Sequence, residues 1–242
     1  MEGIMRVAAA VPKLRLCNVA ENAAAMAEQL HEAADRKASL VAFPELSLTG
    51  YTCGDLFFQK SLLQATEAGL QQMLEACPEG VTAVVGAPVQ ADGVLYNCAV
   101  VLTKGKLLGV VPKLFLPNYN EFYEMRHFAS GAELSTDVTL PDGSEVLVDR
   151  EQLFVCEQMN KLKIGVELCE DLWTPNPPSI AHALAGADVI VNLSASNEIT
   201  GKSAYRKELV CGQSARLVSA YIYASAGEGE STQDLVFSGH NL

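Results

Sequence analysis

The sequence has no run of about 18 apolar residues without charges, which excludes the long apolar helix that a membrane span requires. Its beginning, MEGIMRVAAAVPKLRLC, also lacks the pattern of a secretory signal peptide. This stretch has an acidic residue at position 2 and only a short apolar run, which basic residues follow. We therefore predict a cytoplasmic protein with no membrane partner.

Basic residues are few, and common metal and nucleotide motifs are missing. There are 17 lysines and arginines against 29 aspartates and glutamates, and the formal charge of −12 argues against nucleic acid or anionic lipid as a partner. The seven cysteines form no C-x-x-C pair, which indicates neither a zinc site nor a disulfide framework and favours reduced thiols. Neither G-x-G-x-x-G nor G-x-x-x-x-G-K-[ST] occurs. We predict no metal and no cofactor within these residues.

The 242 residues, 49% of them hydrophobic, are predicted to form one α/β domain with a large core. Strand-like runs alternate with helical segments, and two long hairpins argue against a purely parallel sheet. The predicted strands and hairpins cover 5–11, 38–46, 81–89, 94–113, 151–171, 187–196, 220–226 and 233–237, and the predicted helices cover 19–37, 55–76, 178–186 and 203–218. The ending, DLVFSGHNL, has no closing helix or tail, which suggests a fragment truncated at its C-terminus.

Three side chains with useful chemistry lie where apolar strands give way to loops. Glu45 lies in FPELSLTGY, Lys113 in PKLFLPNYNEFYE and Cys169 in VELCEDLW. From position alone, each also has an ordinary explanation. Glu45 and Lys113 can be solvated surface charges, and free cysteines such as Cys169 are often buried as small apolar residues.

Chemistry would use the three groups together. A free thiol has a pKa of roughly 8.5, so its attack on a carbonyl carbon near neutral pH needs a base such as Glu45. Lys113 can compensate that carboxylate and face the oxygen that becomes negative, and the backbone N–H of Glu170 can complete the oxyanion site. The alternative is a thiol–histidine mechanism, for which the candidates are His31, His127, His182 and His240.

The three segments, in the order Glu, Lys, Cys, resemble the signature segments of the carbon–nitrogen hydrolase (nitrilase-like) superfamily. The stretches KLFLPNYNEFYEMRHF, CEDLW and NLSASNEITGKSAYR further resemble the N-terminal glutaminase domains of glutamine-dependent NAD+ synthetases, over residues 5–242. The resemblance implies a four-layer α-β-β-α sandwich that assembles into homo-oligomers. It also implies that Glu45 is the proton acceptor, Lys113 the group on the oxyanion side and Cys169 the nucleophile.

The same resemblance implies a set of residues that bind the substrate, glutamine. They are Tyr119, Ser196 and Lys202, with Phe122, Glu124 and Trp173 lining the pocket and Glu124 positioning Lys113. Position 202 is a lysine where some relatives carry arginine, so it lacks the bidentate guanidinium fork.

The implied activity is hydrolysis of glutamine through a cysteinyl thioester. The ammonia passes to a C-terminal synthetase domain, which uses ATP and Mg²⁺ to convert nicotinic acid adenine dinucleotide to NAD+. That domain is absent from these residues. Two alternatives stay open: a stand-alone nitrilase-like amidase or carbamoyl hydrolase, and a non-catalytic binding or assembly module that kept the fold.

Overall fold

Two β-sheets with helices beside them make up the computed structural model, which describes residues 4–139, 145–159, 161–232 and 234–242. The strands are β1 Val7–Ala9, β2 Leu40–Ala42, β3 Thr82–Ala91, β4 Val94–Thr103, β5 Lys106–Pro112, β6 Ser135–Thr139, β7 Glu145–Asp149, β8 Leu153–Cys156, β9 Leu162–Leu168, β10 Val189–Ser194 and β11 Ala220–Ser225. The helices are α1 Val19–Asp35, α2 Lys60–Ala76, α3 Glu124–His127, α4 Pro178–Leu184 and α5 Lys202–Leu217, with 3₁₀ turns at Gly54–Phe58, Gly131–Glu133 and Cys169–Trp173.

The first sheet has seven strands in the order β1-β2-β3-β4-β5-β7-β6. Its first three strands are parallel, β3, β4 and β5 run antiparallel as successive hairpins, and β7 pairs parallel with β5. The second sheet has the order β11-β10-β9-β8, in which β8 alone is antiparallel to its neighbour. The hairpins account for the mixed pairing that the sequence predicted.

Alternation along the strands divides the core into layers. On β2, Leu40 and Ala42 pack with residues of the second sheet such as Val191, whereas Val41 belongs to the core shared with α1 and α2. A third cluster lies between α5 and the other face of the second sheet, where Val210 packs near Tyr223. The order of layers is therefore helix, sheet, sheet, helix, and the predicted α-β-β-α sandwich is confirmed.

Local sequence signals explain where α1 begins and how it packs. The Asn18 side chain caps the helix by accepting a hydrogen bond from the backbone N–H of Glu21 at 3.4 Å. Ala23, Met26 and Leu30 recur at helical spacing and are fully buried against the first sheet. No helix in the described part of the chain is long and apolar enough to cross a membrane.

Several predicted elements need correction. No strand forms over 234–237, where the backbone of Phe237 donates to the Ser231 hydroxyl and not to a neighbouring strand, and position 233 lies outside the described residues. The predicted helix over 55–76 is divided into a 3₁₀ turn and α2. Strands β6 and β7 were not predicted, because each shows only short alternation. The turn predicted at 159–161 includes position 160, which lies outside the described residues.

Candidate active site

The carboxyl ends of β2, β5 and β9 bring the three chemically useful side chains together. Lys113, the first residue after β5, is fully buried, and its Nζ donates to Glu45 Oε1 at 2.5 Å and to Glu124 Oε1 at 2.6 Å. Glu45 is also fully buried, and Glu124 is 4% exposed. A buried ammonium is therefore held between two buried carboxylates.

The charges in this cluster determine the state of Lys113. Burial alone would lower the pKa of its ammonium, but the negative charges of Glu124 and Glu45 outweigh it and raise the pKa well above the ordinary value. Lys113 therefore stays protonated throughout the physiological range. A protonated lysine at this position supplies a fixed positive charge close to the thiol of Cys169, whose charge also acts on it.

Hydrogen bonds orient the Glu45 carboxylate from two sides. Its Oε1 accepts from Asn97 Nδ2 at 2.7 Å as well as from Lys113, and its Oε2 accepts from the backbone N–H of Ala195 at 2.9 Å. Asn97 also donates to Glu124 at 3.3 Å, so it bridges the two acids. Both carboxylate oxygens of Glu45 are thereby held in place by hydrogen bonds.

Cys169 begins the 3₁₀ turn that follows β9, in a backbone conformation with φ of +39°, which non-glycine residues rarely adopt. Its N–H donates to Asn192 Oδ1 at 3.1 Å, and the residue is 5% exposed. Burial, followed by the charge of Glu45, raises the pKa of the thiol, and Lys113 opposes this shift. The resting group is therefore the neutral thiol, and the action of both charges places Cys169 in the same cluster.

Asp171 joins the two segments that carry Lys113 and Cys169. Its Oδ1 accepts from the backbone N–H groups of Leu114 at 3.2 Å and Phe115 at 2.8 Å, and its Oδ2 accepts from that of Leu168 at 2.9 Å. Asp171 is 1% exposed. One carboxylate thus fixes the relative position of the ends of β5 and β9, which belong to different sheets.

A buried polar network supports the backbone of Cys169 from the second sheet. Asn192 Oδ1 also accepts from the Ser194 hydroxyl at 2.7 Å, and Asn192 Nδ2 donates to the Tyr221 hydroxyl at 3.1 Å. The Tyr221 hydroxyl in turn donates to Glu167, whose other oxygen accepts from the N–H at the first turn of α4 at 2.8 Å. The backbone of Cys169 is therefore linked through side chains to the outer helix layer.

Aromatic and charged side chains form the rim above Cys169. The hydroxyl of Tyr119 donates to the Glu170 carboxylate at 3.0 Å, and its ring lies 5.8 Å from that of the buried Phe122. Lys202 Nζ lies 5.0 Å from the ring centre of Trp173 and 5.9 Å from that of Phe122. Five of the residues named from the sequence therefore share one face of the site.

Ser196 lies on the loop after β10, and a buried arginine on α5 holds that loop. Arg206 is fully buried; its Nη2 donates to Ser196 Oγ at 3.3 Å and to the carbonyl of Asn197 at 3.0 Å. Its Nη1 donates to Glu198 at 3.1 Å and lies 3.0 Å from His240 Nδ1. The arginine therefore fixes the loop to the helix whose first residue is Lys202.

The four histidines considered for a thiol–histidine mechanism, all within the described part of the chain, form no hydrogen bond with Cys169. Their positions are as follows: His127 lies 3.1 Å from Asp55, His182 lies 3.0 Å from the carbonyl of Arg150, His240 contacts Arg206, and His31 is exposed on α1. The charges that act most strongly on the thiol are those of Glu45, Lys113 and Glu124. The geometry favours a carboxylate over a histidine as the base.

Several supporting residues of the site were not predicted as functional, among them Asn97, Asn192, Arg206 and Asp171. Asn97 and Asn192 are single polar residues within otherwise apolar strands, and that pattern is a signal that sequence reasoning can use. Arg206 shares the buried face of α5 with Val210 and Gln213, one and two turns further along the helix. Asp171 directly follows the CE of the cysteine segment, but its contacts with Leu114 and Phe115 are 57 and 56 positions away.

Residues 6–240 match the sequence model of the carbon–nitrogen hydrolase family, and the chain belongs to that family. Among curated relatives, it is 41% identical over 241 residues to the glutamine-dependent NAD(+) synthetase of Mycobacterium tuberculosis strain H37Rv. This match covers 99% of the chain and 35% of the relative, so the chain spans about a third of the relative's length.

Solved structures agree with this assignment. A glutamine-dependent NAD(+) synthetase from Cytophaga hutchinsonii superposes with a TM-score of 0.84 at 28% identity, covering 98% of this chain and 38% of that one. An amidase from Nesterenkonia sp. superposes with a TM-score of 0.75 at 18% identity, covering 100% and 83% of the two chains. The second likeness shows the fold alone. The predicted nitrilase-like fold is confirmed by both.

Proposed function

We propose that this chain is the glutaminase part of a glutamine-dependent NAD+ synthetase. The observation that carries the proposal is the fully buried Lys113, held at 2.5 Å from Glu45 and 2.6 Å from Glu124 in the cluster that includes Cys169. A thiol, a base and a fixed positive charge are the groups that hydrolysis of an amide through a thioester needs.

In the proposed reaction, Glu45 accepts the thiol proton as Cys169 Sγ attacks the amide carbon of glutamine. Lys113 and the backbone N–H of Glu170 face the oxygen that becomes negative in the tetrahedral intermediate. Glu45 then returns the proton to the leaving nitrogen, ammonia departs, and a thioester remains. Water, deprotonated by Glu45, attacks the thioester and releases glutamate with the thiol restored.

The rim offers complementary charges to the two ends of an amino acid. We assign the α-carboxylate of glutamine to Lys202, whose Nζ donates to Asn197 and would exchange that partner for the substrate. We assign the α-ammonium to the Glu170 carboxylate, beside the hydroxyl of Tyr119. Ser196 would contribute its hydroxyl, and Phe122 and Trp173 would pack against the aliphatic part.

The remaining steps of NAD+ synthesis belong to the proposal as well. Ammonia would pass to a synthetase domain of the parent chain, where ATP and Mg²⁺ would support amidation of nicotinic acid adenine dinucleotide. No metal or nucleotide takes part in the glutamine step. Assembly into homo-oligomers and a cytoplasmic location complete the proposal, and both rest on the resemblance to the synthetases.

The second candidate, a stand-alone amidase, is favoured only by the overall likeness to the Nesterenkonia amidase. Substrate analogues separate the two. The intact protein is incubated with glutamine, with glutaramate (glutamine without its amino group) and with acetamide, and ammonia release is measured. The proposed function predicts that glutamine has the highest kcat/KM, by about 10²-fold or more, because a site built around paired charges rejects analogues that lack them. Equal values for the three amides would contradict it.

Ionisation of Glu124 is expected to control the acidic side of the pH profile. Burial raises the pKa of its carboxyl to about 7, although Lys113 opposes the shift. Below that pH, neutral Glu124 no longer holds the ammonium of Lys113, so kcat/KM for glutamine is expected to fall about tenfold per pH unit. Glu124→Gln removes the ionisation and with it this acidic limb.

A pH–rate profile measured from pH 5 to 9 tests this expectation. Glu67→Gln, a substitution on the exposed face of α2, is the matched control and should keep the profile of the unmodified protein. An unchanged acidic limb in Glu124→Gln would show that another group titrates there.

A further inference from the structure

Cys17 and Cys53 form a pair of thiols that the proposed reaction does not use. Their sulfurs lie 2.8 Å apart, although 36 positions separate them in the sequence. A disulfide bond is about 2.0 Å long, so the two sulfurs need to approach by less than an ångström. We infer that Cys17 and Cys53 are a redox-active dithiol that closes to a disulfide when a low-molecular-weight disulfide, such as oxidised glutathione, reacts with it.

The two cysteines differ in ways that assign their roles. Cys17 is partly exposed, whereas Cys53 is 4% exposed and lies behind it. The hydrogen bond between the two sulfurs lowers the pKa of Cys17, whereas the same contact and burial raise the pKa of Cys53. Cys17 is therefore the thiol that attacks an external disulfide, and Cys53 is the one that resolves the intermediate.

The exchange proceeds in two balanced steps. The Cys17 thiolate attacks one sulfur of oxidised glutathione, the S–S bond breaks, and one glutathione leaves as a thiolate. Cys53 gives its proton to that thiolate and attacks the sulfur of Cys17, which releases the second glutathione as a thiolate that takes up the proton Cys17 had lost to the solvent. Two protein thiols have lost two electrons, and one glutathione disulfide has been reduced to two thiols.

The disulfide would fix a segment that reaches the proposed active site. The backbone N–H of Cys17 already donates to the carbonyl of Thr49 at 2.7 Å. Between Thr49 and Cys53 lies Tyr51, whose hydroxyl donates to Glu124 at 2.6 Å. A disulfide between Cys17 and Cys53 would join the segment from Thr49 to Cys53 covalently to Cys17, which precedes the N-cap of α1.

Peptide mass spectrometry after incubation of the intact protein with oxidised glutathione tests the inference. In the unmodified sequence, we expect a cross-linked Cys17–Cys53 peptide that is two hydrogens lighter and carries no glutathione. In Cys53→Ser, glutathione should stay on Cys17, because nothing resolves the mixed disulfide. In Cys17→Ser, Cys53 should remain unmodified.

The exposed Cys211 provides the control within each sample. Among the described residues no second thiol is paired with it, so it should retain glutathione in all three proteins. Two results would overturn the inference: glutathione on Cys17 of the unmodified sequence at the level found on Cys211, or no reaction of Cys17 in Cys53→Ser. Neither result depends on glutamine hydrolysis, so this test is independent of the proposed function.

Discussion

Cys169→Ala is expected to lower kcat for glutamine hydrolysis by at least about 10⁴-fold, because in the proposed reaction the substitution removes the atom that forms the thioester. The other members of the cluster keep their partners, since Glu45 and Lys113 are bonded to each other and to residues other than Cys169. Binding and oxyanion stabilisation alone then remain, and they supply only a small part of the acceleration. Glutamate formation by the purified intact protein measures the effect.

Synthesis of NAD+ from free ammonia provides the control for Cys169→Ala. If the substitution acts only on the thioester step, the proposed parent chain, which includes the synthetase domain, should keep its ammonia-dependent rate while losing its glutamine-dependent rate. Unchanged glutamine turnover would reject Cys169 as the nucleophile. Loss of both rates together with a lower Tm would point to misfolding, which Cys169→Ser, closer in shape, would then distinguish.

Glu45→Gln is expected to lower kcat by about 10³-fold, within the range of 10² to 10⁴ that a general base contributes. The amide cannot take the thiol proton. It also cannot replace the carboxylate as an acceptor, because Glu45 accepts from Lys113 and Asn97 on one oxygen and from Ala195 on the other. Whichever way the amide turns, its NH₂ group faces a donor.

The pH dependence of Glu45→Gln distinguishes loss of the base from loss of the fold. Without the base, the reaction depends on spontaneous ionisation of Cys169, whose pKa is raised by burial. The residual rate of the variant should therefore increase about tenfold per pH unit between pH 7 and 9. A residual rate that is flat over this range, or a kcat within threefold of the unmodified protein, would contradict the role assigned to Glu45.

The positions of the three central side chains could be predicted from the sequence because each follows an apolar strand. Glu45, Lys113 and Cys169 stand directly after such runs, and polar side chains at strand ends are readily noticed. The helices α1 and α5 were also predicted within two residues at each end, since their periodicity is regular. Local patterns were therefore sufficient for the two helices, whereas the grouping of the three side chains into one site also rested on the family resemblance.

The supporting residues depend on contacts that no local pattern contains. Asn97 touches Glu45 only because the fold places β4, two strands away from β2 in the first sheet, close to a residue 52 positions apart in sequence. Arg206 can be buried because four polar groups from two other segments surround its guanidinium. A charged residue is ordinarily expected at the surface, so the sequence did not indicate this burial. The positions of Asn97 and Arg206 therefore depend on the tertiary structure and not on local sequence.

The division of the reactive groups between the two sheets has a consequence for folding. Glu45 and Lys113 come from the seven-stranded sheet and Cys169 from the four-stranded one, and the carboxylate of Asp171 bridges them. A chain in which only one sheet has formed cannot hold Glu45 and Lys113 beside Cys169. If the proposed reaction is correct, hydrolysis of glutamine therefore requires both sheets to be assembled.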